Sequence, residues 1–359
     1  MGTPYVSFRT SDALERKDMR SGTNSMLIGA AVAALLVLPA TGADTGWVVW
    51  PTKSFNTRVL RVDDIVGTVK VNVQDGPMKV DVSGAREMVR GLTVRQENDQ
   101  LIVSGNEIDS VNVWDWHKWF DFSHVNDDDG RTGKLFITVT VPKGADVRIE
   151  DLVGNARVGD TYGPLRLETT AGDSTVGRTA TARISMAGSG KTDVADVAGE
   201  LRLEIAGSGR IVAHNAGSVR ADVAGSGDAF VGAVANGIGV DIAGSGDFTA
   251  QKVNGPVKID IAGSGNVKIA DGYANPLRVD IIGAGDLYFG GLAVDPRISA
   301  MGSGNVHIKA YKGKLSNDGM ADVQIGGPPS APPAPGHMGN PPMPPAPPHH
   351  SGDDDDDDN

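Results

Sequence analysis

The sequence predicts an all-β protein: a parallel β-helix of about nine coils of 19 residues, preceded by an irregular β section. Three observations carry this expectation. An Ala-Gly-Ser-Gly motif or close variant recurs seven times, with triplets at Gly188-Ser189-Gly190, Gly207-Ser208-Gly209, Gly225-Ser226-Gly227, Gly244-Ser245-Gly246, Gly263-Ser264-Gly265, Gly283-Ala284-Gly285 and Gly302-Ser303-Gly304. Successive first glycines lie 19, 18, 19, 19, 20 and 19 residues apart, and worn copies precede them at Gly154-Asn155 and Gly172-Asp173. On both sides of each motif, apolar and charged residues alternate with period two, as in Lys258-Ile259-Asp260-Ile261 and Asn266-Val267-Lys268-Ile269. That reads as strand, glycine corner, strand. A steady period of this length marks a repeat architecture, in which each coil buries its apolar face only against its neighbours.

Stacking the repeats turns positions into columns. Ile184, Leu203, Ala221, Val240, Ile259, Val279 and Ile298 form one apolar column, and Met186, Ile205, Val223, Ile242, Ile261 and Ile281 another. Both are expected inside the coil. Between them, facing out, run Glu150, Glu168, Ser185, Glu204, Asp222, Asp241, Asp260, Asp280 and Ser299. Two positions earlier run Arg148, Arg166, Arg183, Arg202, Arg220, Gly239, Lys258, Arg278 and Arg297. Opposite charges side by side offset the repulsion of like charges stacked at strand spacing. The near balance of signs favours a mutually paired, solvated face over a polyanion-binding one, which would carry net positive charge.

The column after each glycine corner reads Asn155, Asp173, Lys191, Arg210, Asp228, Asp247, Asn266, Asp286, Asn305. Glycine followed by Asp is similar to calcium-binding β-roll repeats. The period here is twice theirs, and Lys191 and Arg210 interrupt the column, so turn-forming Asp and Asn are the expected role. No metal or cofactor is expected.

The N-terminal stretch has Arg16, Lys17 and Arg20 ahead of an apolar run from Met26 to Leu38, then small residues to Ala43. This is a signal-peptide pattern over residues 1–43, and a start at Met19 would give one of more ordinary length. The apolar run is shorter than the roughly 20 residues a spanning helix needs. After cleavage the protein is not expected to be integral to a membrane. Residues 44–145 read as non-identical strands forming a cap or first coils, interrupted at 106–131 by an aromatic insertion. Trp114, Trp116, Trp119, Phe120 and Phe122 lie there, with His117, His124 and several aspartates. Aromatics on an exposed loop can stack on sugars or anchor a protein, and these five are the candidate binding residues; the other reading is an apolar lid on the helix. The two histidines lack metal-ligand spacing. Residues 146–325 hold the repeats. From 326 to 359 the chain is proline-rich and ends in Asp353 to Asp358, the composition of a disordered tail.

The 359-residue chain has a formal charge of −12 and no cysteine. This excludes disulfides and thiol chemistry and disfavours nucleic acid as a partner. No Ser-His-Asp set, phosphate loop or metal motif is present, and the acids stand in ladders instead of a pair flanking a groove.

The clearest repeat, Asp241-Ile242-Ala243-Gly244-Ser245-Gly246-Asp247, together with the lead-in Leu135-Phe136-Ile137-Thr138-Val139-Thr140-Val141-Pro142-Lys143-Gly144-Ala145, resembles the bacterial head GIN domain family of auto-transporter adhesins. The likeness covers roughly residues 58 to 312. It implies a right-handed parallel β-helix, exported to the periplasm or surface of a bacterium, adhesive and without catalytic residues. The aromatic insertion and the tail depart from the family pattern. Nothing after Ile325 has the strand pattern of a membrane barrel, so self-export is not expected. Three functional classes follow: an adhesive or structural envelope module binding a glycan or protein, an envelope signalling or stress partner, and, least favoured, a polysaccharide-active enzyme.

Overall fold

A computed structural model describes residues 47–105, 135–319 and 322–326. All belong to the unit Val37–Asn359. The expected signal segment, the aromatic insertion with Trp114, Trp116, Trp119, Phe120 and Phe122, and the tail lie outside the described residues. Those described form a parallel β-helix of about nine turns, with one five-residue helix, Arg86–Arg90.

The apolar columns are what close the coil. Ile184 pairs with Leu203, Leu203 with Ala221, and so on in register through Ile259, Val279 and Ile298. All are buried, as is the Met186-to-Ile281 column. Outward positions alternate with them along every strand, the pattern of one wall facing a core and one facing water.

The glycines let the corners stack. Gly207, Gly225, Gly244, Gly263, Gly283 and Gly302 all have positive φ. Their backbones also approach the coil below too closely for a side chain: a Cβ on Gly263 would lie 2.2 Å from the carbonyl oxygen of Gly244. The amide that follows uses that carbonyl, Ser264 N donating to Gly244 O at 2.9 Å and Ser245 N to Gly225 O at 2.8 Å. Beside them the Asp/Asn column forms a second ladder. Asp247 Oδ1 accepts from Asn266 N at 2.9 Å, and Asp286 Oδ1 from Asn305 N at 2.7 Å. These side chains serve the next coil's backbone.

The helix begins earlier than the regular repeats. Val59–Val73 lies parallel to Asp146–Val158, with Arg61 opposite Arg148, Asp63 opposite Glu150 and Gly67 opposite Gly154. On its other side, one turn is assembled from two separate strands. Gln100–Ser104 pairs with its first half and Leu135–Val141 with its second. Met78–Ala85 then runs antiparallel to Leu135–Val141, to Trp47–Val49 and to Lys53–Phe55. Antiparallel strands protect an edge that another parallel coil would otherwise extend.

The glycine corner yields a paired prediction. Gly263→Ala meets both a backbone clash and a left-handed φ, and should cost about 2–4 kcal/mol. Gly239→Ala meets no atom within 4 Å and should be neutral within about 0.5 kcal/mol or slightly stabilising. Urea unfolding midpoints of the two variants check this; equal shifts would contradict it.

Candidate functional site

The outward charge columns form one continuous face. Arg61 contacts Asp63 and Glu150, both at 2.9 Å. Arg166 contacts Glu168 at 2.5 Å and Glu150 at 3.4 Å. Arg202 contacts Glu204 at 2.9 Å and Asp222 at 3.5 Å. Arg220 reaches Asp222 at 3.7 Å and Asp241 at 3.4 Å. These arginines thus bridge their own strand's acid and a neighbouring coil's. Each exposed pair is worth about 0–1 kcal/mol. Their collective effect is to neutralise the face, leaving little free charge for a polymer.

The pairing loosens toward the C-terminus. Gly239 occupies a base position, so its strand carries Asp241 without a base of its own. Asp241 stands in register between Asp222 and Asp260. Partial burial, and then the neighbouring Asp260 and Asp222, push its carboxyl above the ordinary range. Asp260 is also raised by burial, but the hydrogen bond from Lys258 and the bonds shared with Asp241 and Asp280 outweigh this and leave it lowered. Arg278 and Arg297 make no ion pair among the described residues.

A second acidic feature was hidden in the sequence. One oxygen from each of Asp63, Asp64 and Asp151 lies within 4.8 Å of the others. Asp64 and Asp151 occupy equivalent corners of adjacent coils, both with left-handed φ, 54° and 52°. Burial raises the Asp151 carboxyl, with Glu168 and Asp63 adding to the effect. A hard cation such as calcium takes six to eight oxygens. The trio supplies only part of such a shell, and Arg61 already neutralises Asp63. The signal that could have found it is the internal likeness of Arg61-Val62-Asp63-Asp64-Ile65-Val66-Gly67 to Arg148-Ile149-Glu150-Asp151-Leu152-Val153-Gly154.

The described residues on either side of the aromatic insertion pack against this corner. The chain leaves the described structure at Gly105 and returns at Leu135. A Cβ on Gly105 would lie 2.0 Å from Asp64 O, and one on Gly67 would lie 2.5 Å from Leu135 O. Gly105 and Leu135 therefore flank the Asp64-to-Gly67 corner, beside the acidic trio. Along that same edge runs an uncharged exposed ribbon. Ala206, Ala224, Ala243, Ala262, Ile282 and Met301 stack in register, with Ile282 and Met301 65% and 67% exposed.

Polar groups inside the helix are sealed. Thr169, Ser174, Thr179 and Thr192 are buried with no hydrogen-bond partner. Thr169 continues the Met186 column. Being closed to solvent, these hydroxyls meet no substrate. His307 is buried too, its ring stacked 5.3 Å from that of Tyr288.

The raised Asp241 carboxyl gives a pH prediction. Its folded form holds a proton more tightly than the unfolded chain does. The resulting penalty is absent below the ordinary aspartate value of about 3.9 and sets in as pH rises through the raised one. Asp241→Asn should therefore raise the thermal midpoint at pH 7, with the gain shrinking toward pH 4. Thermal melts across that range check it; a loss of stability at every pH would show that the Arg220 contact dominates instead.

The family model described as "Putative auto-transporter adhesin, head GIN domain" matches residues 64–270 and 239–325. Among curated proteins, none matches the chain. Similar solved structures include a "putative adhesin" from Parabacteroides distasonis, with 13% identity over 79% of this chain and 98% of the other, at a TM-score of 0.35. Another "putative adhesin", from Parabacteroides merdae, has 12% identity over 79% and 97%, also at 0.35. A "Putative lipid binding protein" from Parabacteroides distasonis has 12% identity over 79% and 97%, at 0.33. Among the described residues, no helix is long and apolar enough to cross a membrane. Matched across most of its repeat region and the coil before it, the chain belongs to the head GIN domain family.

Proposed function

We propose that this protein is an exported, non-catalytic envelope module, adhesive in character, in which the β-helix is a rigid scaffold and the aromatic insertion makes the contact. The observation that carries this reading is the anchoring of the insertion. Its ends are held at Gly105 and Leu135, two positions packed against adjacent backbone. A segment that leaves and returns on rigid strands offers Trp114, Trp116, Trp119, Phe120 and Phe122 to a partner from a fixed point on the scaffold. The ladder face supports the non-catalytic part. Its acids are arrayed by repetition and tied to arginines, and among the described residues no free acid and base face each other across a cleft. Family membership supports adhesion and a place at the bacterial surface or in the periplasm.

A second reading has the same loop contacting an envelope protein in signalling or stress response. The uncharged ribbon ending in exposed Ile282 and Met301 favours it, because apolar surface suits a protein partner better than a hydrated glycan.

The test is binding of the mature protein to a glycan array, peptidoglycan, lipopolysaccharide and lipid vesicles, with Trp116→Ala/Trp119→Ala alongside. Loss of binding by tenfold or more at an unchanged melting temperature is the expected result. A lowered melting temperature with binding intact would assign the aromatics to a lid. Binding to none of these materials would turn the search to protein partners.

A further inference from the structure

The last coil carries charge that the ladder does not compensate. Lys309, Lys312 and Lys314 lie within six residues and are all exposed, with the partly exposed Tyr311 between them. None makes an ion pair among the described residues. The strand beneath them, Leu287–Val294, contains no acid. The nearest carboxylate on the preceding corner is Asp295, whose Oδ1 accepts from the backbone N–H of Lys314 at 2.9 Å and so serves the corner itself. On the following strand, Asp322 stands opposite Asn305, at the far end from the lysines.

The chain leaves the described structure beside this corner. Gly326 N donates to Ile308 O at 3.1 Å, and Ile308 adjoins Lys309. Residues 327–352, 26 in number, then lead to the six aspartates Asp353 to Asp358. We propose that this aspartate run folds back in cis onto Lys309, Lys312 and Lys314 and occupies the cationic corner.

Reach is not limiting. Twenty-six proline-rich residues at about 3.1 Å each span up to about 80 Å, far more than the return to the neighbouring strand requires. Charge complements charge: six carboxylates against three ammonium groups that make no ion pair among the described residues. The competing occupant, a polyanion from solution, is disfavoured by the whole molecule. Without the six aspartates, the formal charge of −12 still leaves −6, which repels such a polymer at long range. A tethered segment escapes that disadvantage, since its effective concentration at the corner is in the millimolar range. The contact is exposed and ionic, so it should weaken steeply as the Debye length contracts with salt. This inference does not depend on the aromatic insertion.

Zero-length carbodiimide cross-linking of the full chain, read by mass spectrometry, tests it. At about 10 mM salt, links from Asp353–Asp358 should concentrate on Lys309, Lys312 and Lys314. They should fall at least fivefold at 0.5 M salt and be lost in the Lys309→Gln/Lys312→Gln/Lys314→Gln variant without moving elsewhere. Links spread equally over Lys53, Lys70, Lys79, Lys252 and Lys268, or absent altogether, would overturn the proposal. In a mixture of light and heavy isotopic chains, hybrid links as abundant as like-with-like ones would overturn the in-cis contact in favour of a neighbouring molecule.

Discussion

Coils that stack backbone on backbone at the glycine edge leave no room for a Cβ, and the rest of the molecule depends on that closeness. Because Gly263 sits on Gly244 and Gly244 on Gly225, each residue of one coil stands directly over its counterpart in the next. Like therefore meets like. For apolar residues this is favourable and fills the interior. For amide and carboxylate oxygens it becomes a hydrogen-bond ladder to the next backbone. For charged residues it is a problem, answered by placing an arginine column beside an acidic one.

That constraint also explains where the molecule is irregular. Removing one base at Gly239 leaves Asp241 held between two other carboxylates, and its proton affinity rises. Fraying of the ladder leaves Arg278 and Arg297 without an ion pair among the described residues, and the final coil keeps three lysines with no acid on the strand beneath them. Differences among the coils arise from single breaks in a regular array. The longest interruption of the repeat in sequence falls between Gly105 and Leu135.

Much of this was legible in the sequence because the period is nearly constant. The inner and outer columns from Ile184 to Ile298 and from Arg148 to Arg297 follow directly from spacing, and the structure pairs them residue by residue. The coil Val59–Val73 was harder to see. Its likeness to Asp146–Val158 is plain when the two are aligned, but the intervening cap strands and insertion break the period that revealed the others. The acidic trio was hidden for the same reason, since Asp63 and Asp64 meet Asp151 only through that stacking. The buried hydroxyls of Thr169 and Ser174 flank the worn motif at Gly172 and that of Thr192 follows the first intact one, and no periodic signal marks them. The candidate aromatics were found by composition alone, which says what they could touch and not how they are held.

The same coil has a consequence for how the chain acquires its shape. Within the repeats, stacked positions are separated by 17 to 20 residues, so each turn can add to the last by closing a short loop. Val59 meets Asp146 across a much longer stretch. On a logarithmic loop-entropy scale, that closure costs about 1.4 kcal/mol more than a regular one. Folding should then start within the repeats and proceed outward, with the N-terminal coil and its cap among the last parts to dock. Gln100–Ser104 and Leu135–Val141 come together on Val59–Val73 at that late step, after the repeat coils have formed.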